Sequence, residues 1–398
     1  MKIKIMTFND FLKKINYKKI SFDEFLEKCK IDNKNIVEYF DKFDDDRKYR
    51  KNELLQNIYN VFYENMNFLK YVYKSYFYCS NFELFFKIKK QKLKNKIIDG
   101  KYTTNNKLKR FIRNIYFNEI FIESRKVFDN CTQFVDFFDI YLNYNFPKRF
   151  FIPSIVKCIF DKNFSGLFGF IKGTFQSLSI FNPYTAAYIF TYIFPGKKLF
   201  TPVGGWSSYL IGFYNSIYEE NVTVDVIDKI KDINEFIHND LYLKNISIFE
   251  ENIKKQKTII YPSEKLDEIG FTNEYKNYFD LIFFSPPYFN LEIYPGENQS
   301  INNYKTYEEW LEKYWLRTCE ICNKVLNKNG IFSFVIVEKY YEPNLKKDLF
   351  ISNDMFNFAC KIFKHIDTYK IEWQSFRTRV DKKTNEGNFE YFYIFKKG

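Results

Sequence analysis

A chain of 398 residues with 46% hydrophobic and 28% charged residues has the balance of an ordinary globular protein and the length for two cores. Its net charge of +12 favours polyanionic partners, although 52 of the 61 basic residues are Lys and 22% of the chain is aromatic, as an AT-rich coding sequence would give. Two histidines and seven scattered cysteines argue against a Ser-His-Asp hydrolase, a histidine-rich metal enzyme and a disulfide-stapled scaffold.

In chain order, residues 1–150 read as a mainly helical, basic domain. Segments 8–15, 22–29, 53–73 and 81–96 carry apolar residues at helical spacing, and Gly100 is the only glycine before Gly166. Residues 87–126 hold 13 basic residues against Asp99, Glu119 and Glu123. Compositional bias would spread lysines evenly, so the clustering predicts a surface for a polyanion; the competing reading is a solvated helix face. No uninterrupted apolar segment opens the chain and no run of about 18 apolar residues occurs later. The expectation is an intracellular, cytoplasmic protein with reduced thiols and no membrane partner.

From about residue 151 to 398 the pattern changes. Short β-type runs at 198–200, 222–226, 258–261, 281–284 and 331–337 alternate with helical stretches such as 206–218 and 307–326, which predicts a doubly wound α/β domain with a parallel sheet. A helix near 353–363 and two strands at 366–376 and 389–395 then predict a C-terminal antiparallel hairpin. Cys319 and Cys322 form a lone CxxC inside a helical pattern, without the second pair that a zinc site needs, so both read as core.

The decisive motif is Ser285-Pro286-Pro287-Tyr288, delivered by the apolar run from Asp280 to Phe284. Open α/β sheets place their sites at such carboxyl ends of strands. An exocyclic amine on a base is a poor nucleophile, because its lone pair is delocalised into the ring. The Ser285 hydroxyl and the Pro286 carbonyl could accept its two hydrogens and free that lone pair. The prolines fix the backbone, and Tyr288 offers a ring on which an extruded base can stack. Upstream, Thr201-Pro202-Val203-Gly204-Gly205-Trp206 follows a strand and opens a helix, where a glycine turn lets backbone approach a ligand.

Ser285-Pro286-Pro287-Tyr288 resembles the catalytic motif of S-adenosyl-L-methionine-dependent amino-methyltransferases. Its continuation from Phe289 to Ser300 resembles DNA-modification methyltransferases of phages and large DNA viruses. The resemblance covers residues 173–398. It implies a Rossmann-like methyltransferase sheet, S-adenosyl-L-methionine as cofactor, and DNA as partner, with the cytosine 4-amino group favoured over the adenine 6-amino group. It assigns catalysis to Ser285, Pro286, Pro287 and Tyr288. By the same resemblance the cofactor contacts are Thr201, Pro202, Gly204 and Gly205, then Asp225 for the ribose, Ser263 and Glu264 for the adenine, and Phe181 and Asn182 over the methionine end. The family usually has Asp where this chain has Thr201, which puts a contact to the cofactor ammonium in question. No long target-recognition insertion follows the catalytic motif, so that role falls to the N-terminal helices or to the loop 377–388 with Arg377, Arg379, Lys382 and Lys383. Two alternatives stay open: an RNA adenosine methyltransferase, and a degenerate methyltransferase fold acting as a binding or assembly module.

Overall fold

A computed structural model describes residues 4–41, 48–79, 83–100, 107–126, 132–133, 144–146, 148–176, 179–246, 253–342, 345–372 and 389–398. Its centre is an eight-stranded sheet. The strands are β1 (Ile97–Asp99), β2 (Lys198–Thr201), β3 (Glu220–Asp225), β4 (Lys255–Ile260), β5 (Phe279–Phe284), β6 (Leu326–Val337), β7 (Phe363–Glu372) and β8 (Phe389–Lys397). They lie in the order β4-β3-β2-β5-β6-β8-β7-β1. The pairs from β4 to β6 are parallel, whereas β8 runs antiparallel to both β6 and β7. A parallel sheet that reverses at β2 and inserts one antiparallel strand near its end is the Rossmann-like methyltransferase arrangement. The expected C-terminal pair is present; its connecting loop 377–388, with Arg377, Arg379, Lys382 and Lys383, lies outside the described residues.

The strands read as they do because both sheet faces are covered. From Leu281 to Phe284 all four side chains are fully buried, the continuous apolar run that a two-sided parallel sheet requires. Cys319 and Cys322 are fully buried on the helix Arg317–Val325. Burial pushes both thiols well above the ordinary cysteine range, so they are inert core groups. No helix among the described residues is long and apolar enough to cross a membrane.

The N-terminal helices start where local chemistry directs. Thr7 with Asp10, and Ser21 with Glu24, make reciprocal capping boxes ahead of helices Phe8–Lys14 and Phe22–Lys28. Two hydrophobic clusters interleave along the chain. One holds residues from Met6 to Phe77 together with Phe146, Ile155, Ile159 and Phe168. The other is the sheet core, which also takes in Leu84, Ile98, Leu108, Ile112 and Tyr116.

Within segment 81–96 the described residues, 83–96, do not form the expected helix. Residues 83–93 run outside any helix, Asn95 and Lys96 turn with φ of 51° and 56°, and the run leads into edge strand β1, which pairs in parallel with β7. Period two replaces period 3.6: Leu84 is buried and Phe86 and Ile88 pack on the sheet core, while Lys87, Lys89 and Lys90 face solvent. Asn215 substitutes for a neighbouring strand, its amide donating to the Leu84 carbonyl (2.8 Å) and its oxygen accepting from the Phe86 N–H (2.7 Å). Tertiary contacts override the helical propensity of this Lys-rich stretch.

Candidate active site

A cavity of about 520 Å³ opens at the carboxyl ends of β2, β3 and β5, the position expected for a ligand in an open α/β sheet. This volume suits a small-molecule or cofactor site. The motif residues Ser285, Pro286, Pro287 and Tyr288 line it. Of the predicted cofactor residues, Phe181, Asn182, Pro202, Gly205, Asp225, Ser263 and Glu264 line it as well.

Thr201 and Gly204 do not line it. The Thr201 side chain is fully buried within the sheet, its hydroxyl donating to Thr223 Oγ1 on the adjacent strand at 2.9 Å. Gly204 faces Asp225 instead. A Cβ at this position would lie 2.9 Å from Asp225 Oδ2 and 3.0 Å from Ile230 Cγ2, so glycine is what lets the turn close on the carboxylate. The Gly204 N–H donates to Oδ2 at 2.8 Å, and the N–H groups of Val226 and Ile227 donate to Oδ1 at 2.8 and 3.1 Å. Three of the roughly four acceptor positions of a carboxylate are therefore occupied. Burial outweighs these three bonds and pushes the Asp225 carboxyl up to about 6.

The turn that follows is strained. Gly205, Trp206 and Ser207 take φ of 55°, 55° and 60° in succession. Gly205 tolerates this, and a Cβ there would come within 2.3 Å of the Tyr209 ring. For Trp206 the left-handed conformation is a steric outlier, of the kind that persists when surroundings over-determine it. Here the surroundings are aromatic: Tyr116, Phe121 and Tyr294 pack edge-on to the Trp206 indole at centroid distances of 5.4, 5.0 and 4.9 Å. Tyr116 also hydrogen-bonds Ser207, its hydroxyl lying 2.7 Å from Ser207 Oγ.

Past β4, Glu264 accepts from the Tyr304 hydroxyl at 3.3 Å, and burial raises its carboxyl above the usual range. Ser263 Oγ lies 3.4 Å from Thr318 Oγ1. Asn182 caps helix Pro183–Tyr188 through the Tyr184 N–H at 3.0 Å and donates to the Gly100 carbonyl at 3.3 Å. Phe181 packs against Tyr209 and Phe283.

At the motif end, the Ser285 N–H donates to the Tyr209 hydroxyl at 2.8 Å, and Ser285 Oγ lies 3.0 Å from the Tyr288 hydroxyl. That hydroxyl donates in turn to Glu390 Oε1 on β8 at 3.4 Å. Burial and the Glu390 charge push the Tyr288 phenol well above its ordinary value, so it stays a donor. With Tyr288 donating to Glu390, its oxygen is left to accept from Ser285. The Ser285 lone pairs are then available to an incoming donor.

Two wall residues, Tyr209 and Glu390, had no sequence signal of their own and reach the cavity only through tertiary packing, whereas Glu292 and Tyr294 belong to the continuation 289–300 that follows the motif. Lys109 and Arg113, read from sequence as part of a polyanion surface, line the cavity as well. Their four-residue spacing on an amphipathic helix was the one available hint.

No family model and no curated protein matches this chain. It is similar to several solved structures. The PH0226 protein from Pyrococcus horikoshii OT3 is 15% identical over 53% of this chain and 85% of its own, with a TM-score of 0.32. TrmN from Thermus thermophilus is 9% identical over 54% and 49%, with a TM-score of 0.34. The N-methyltransferase NodS from Bradyrhizobium japonicum WM9, in complex with S-adenosyl-L-homocysteine, is 10% identical over 51% and 78%, with a TM-score of 0.30.

Proposed function

We propose that this chain transfers a methyl group from S-adenosyl-L-methionine to an exocyclic amino group of a base in DNA, with the 4-amino group of cytosine favoured. The observation that carries the reading is that Ser285 and Asp225 line one cavity from the ends of two sheet strands, together with the Gly205 turn. The residues present fit the cofactor. Asp225 keeps one acceptor position for a ribose hydroxyl, and Glu264 lines the same cavity. When bound, the cofactor supplies an electrophilic methyl on a sulfonium.

The chain's own residues do the rest. Ser285 Oγ and the Pro286 carbonyl accept the two amine hydrogens and localise the nitrogen lone pair, while Tyr288 and Glu390 hold the Ser285 hydroxyl in its accepting orientation. A preorganised acceptor of this kind is worth about 10²–10³ in rate. Lys87, Lys89, Lys92 and Lys94, all exposed along the segment that leads into edge strand β1, would supply the sequence-independent attraction to phosphates.

Two measurements test the reading. Calorimetry with S-adenosyl-L-homocysteine should show saturable binding, and DNA from cells expressing the protein should carry methylated cytosine or adenine. Binding without DNA methylation, but with methylated RNA, moves the substrate to RNA. Absence of binding at millimolar ligand ends the enzymatic reading in favour of a binding module.

A further inference from the structure

Methylation of an amine leaves a proton to be disposed of. As the nitrogen–carbon bond forms, the nitrogen takes over positive charge, and the product is neutral only once one of its two hydrogens has left as a proton. Those hydrogens face Ser285 Oγ and the Pro286 carbonyl in the methyltransferase reading above, on which this inference rests. A peptide carbonyl has no hydrogen of its own to hand on, so a proton placed there is stranded. A hydroxyl can take one proton while it releases another.

Two contacts extend the route beyond Ser285. Its Oγ lies 3.0 Å from the Tyr288 hydroxyl, which donates to Glu390 Oε1 at 3.4 Å. A phenol has a single hydrogen. With that hydrogen on a carboxylate, Tyr288 must accept from Ser285, and the Ser285 hydrogen points away from the amine. Every donor in the row is thus directed toward Glu390, the alignment in which a chain of hydrogen bonds passes a proton by successive hops. Burial and the Glu390 charge hold the Tyr288 phenol well above its ordinary value, so Tyr288 gives up its proton only as it gains another.

Glu390 is placed by the sheet and not by the motif. On β8 it stands opposite Val337 of β6 and Ile371 of β7. It lines the cavity and is half-buried, so a proton that reaches it can pass on to water. We propose that Ser285, Tyr288 and Glu390 form a relay that carries off the amine proton, with the Glu390 carboxylate as terminal acceptor. The amine proton moves to Ser285 Oγ, the Ser285 hydrogen to Tyr288 Oη and the Tyr288 hydrogen to Glu390, while the N–H bonding pair stays with the nitrogen. Ser285 and Tyr288 end as neutral hydroxyls, and Glu390 ends as a carboxylic acid.

The test follows a single turnover of the full chain, in excess over amplified, unmethylated DNA of mixed sequence, with S-adenosyl-L-methionine labelled in its methyl group. Glu390→Gln still accepts from Tyr288 but takes no proton. Its rate should fall by about 10²-fold, the lower end of what a positioned acid or base contributes, with affinity for S-adenosyl-L-homocysteine unchanged. The parental rate in this variant overturns the relay. In Glu390→Ala the rate should recover with added formate and not with formamide, which accepts the same hydrogen bond without being basic. Recovery with both, or with neither, leaves Glu390 a positioning residue and overturns it as the acceptor. The unaltered protein should turn over more slowly in heavy water, since three protons move as the bond forms. An unchanged rate there overturns the relay whether or not the variants fold. If the unaltered protein transfers no methyl group to DNA or RNA, the methyltransferase reading itself fails and takes the relay with it.

Discussion

The hydroxyl of Tyr116 lies 2.7 Å from Ser207 Oγ, and both side chains are fully buried. One comes from the basic helix Lys107–Tyr116 and the other from the left-handed turn after Gly205. This bond and the edge-on contact of Tyr116 with Trp206 hold the turn in a conformation it would not adopt alone. Tyr116→Phe keeps the packing and leaves the Ser207 hydroxyl unsatisfied, which costs about 1–3 kcal/mol. We expect that loss in urea unfolding, together with weaker binding of S-adenosyl-L-homocysteine. A variant with unaltered cofactor affinity would show that the turn needs no support from this helix.

Thr201 gives a prediction opposite in sign to what family resemblance alone would suggest. An Asp there would place a carboxylate inside the sheet, against Thr223 Oγ1 and away from the cavity. An unpaired buried charge destabilises by about 3–5 kcal/mol. Thr201→Asp should therefore lower the urea midpoint sharply and not improve cofactor binding. Tighter binding at unchanged stability would mean that this side chain reaches the ligand after all.

The Asp225 carboxyl titrates near 6 in the folded chain, against an ordinary value of 3.8. The folded state therefore binds more protons than the unfolded state between these values, and stability must fall as pH rises from about 4 to about 6. The shift corresponds to roughly 3 kcal/mol. Cofactor affinity should run the other way, strengthening as pH rises through 6 and the carboxylate becomes available to a ribose hydroxyl. Calorimetry at a series of pH values checks it. In Asp225→Asn that pH dependence should disappear.

Ser285→Ala removes the acceptor at the amine and frees the Tyr288 hydroxyl to face Glu390 alone. The expected result is a fall in kcat of about 10²–10³, with S-adenosyl-L-homocysteine binding unchanged, because Asp225, Glu264 and the Gly205 turn are untouched. Methyl transfer at the parental rate would remove Ser285 from the chemistry.

Reversing Lys87, Lys89, Lys92 and Lys94 to Glu should weaken binding to unrelated DNA sequences about equally and flatten its salt dependence, since fewer counterions are released. An unchanged slope would return these lysines to the role of a solvated edge.

The sheet was legible in the sequence because both its faces are covered and its strands are apolar runs closed by glycine and proline. Strands β2 to β6, the closing antiparallel pair and the placement of Ser285 and Asp225 all follow from that pattern. The non-helical course of residues 83–96 was not legible. Its Leu84, Phe86 and Ile88 fit a strand as well as a helix, and the partner that decides between them, Asn215, is remote in sequence. Thr201 was misplaced for a related reason. A strand's last residue points either to the ligand or to its neighbour, and here Thr223 supplies the neighbour. Lys109 and Arg113 were counted as surface charge because the pattern of one helix does not show which face a distant sheet will cover.

The interleaved cores set an order on how this chain can fold. Edge strand β1 sits on β7, and the Lys96–Asp367 ion pair beside that junction joins residues 271 apart in sequence. Phe77 and its neighbours, meanwhile, share a core with Ile155, Ile159 and Phe168. During synthesis the helical cluster can consolidate once residue 168 has emerged, but residues 83–116 have no sheet to pack on until the strands after residue 197 exist. Their exposed Leu84, Ile98 and Ile112 would wait as apolar surface through more than half of translation. Contacts of such range make for slow folding, and transiently bared apolar segments are prone to aggregate. Production of this protein should therefore depend on chaperones and temperature more than its final packing would suggest.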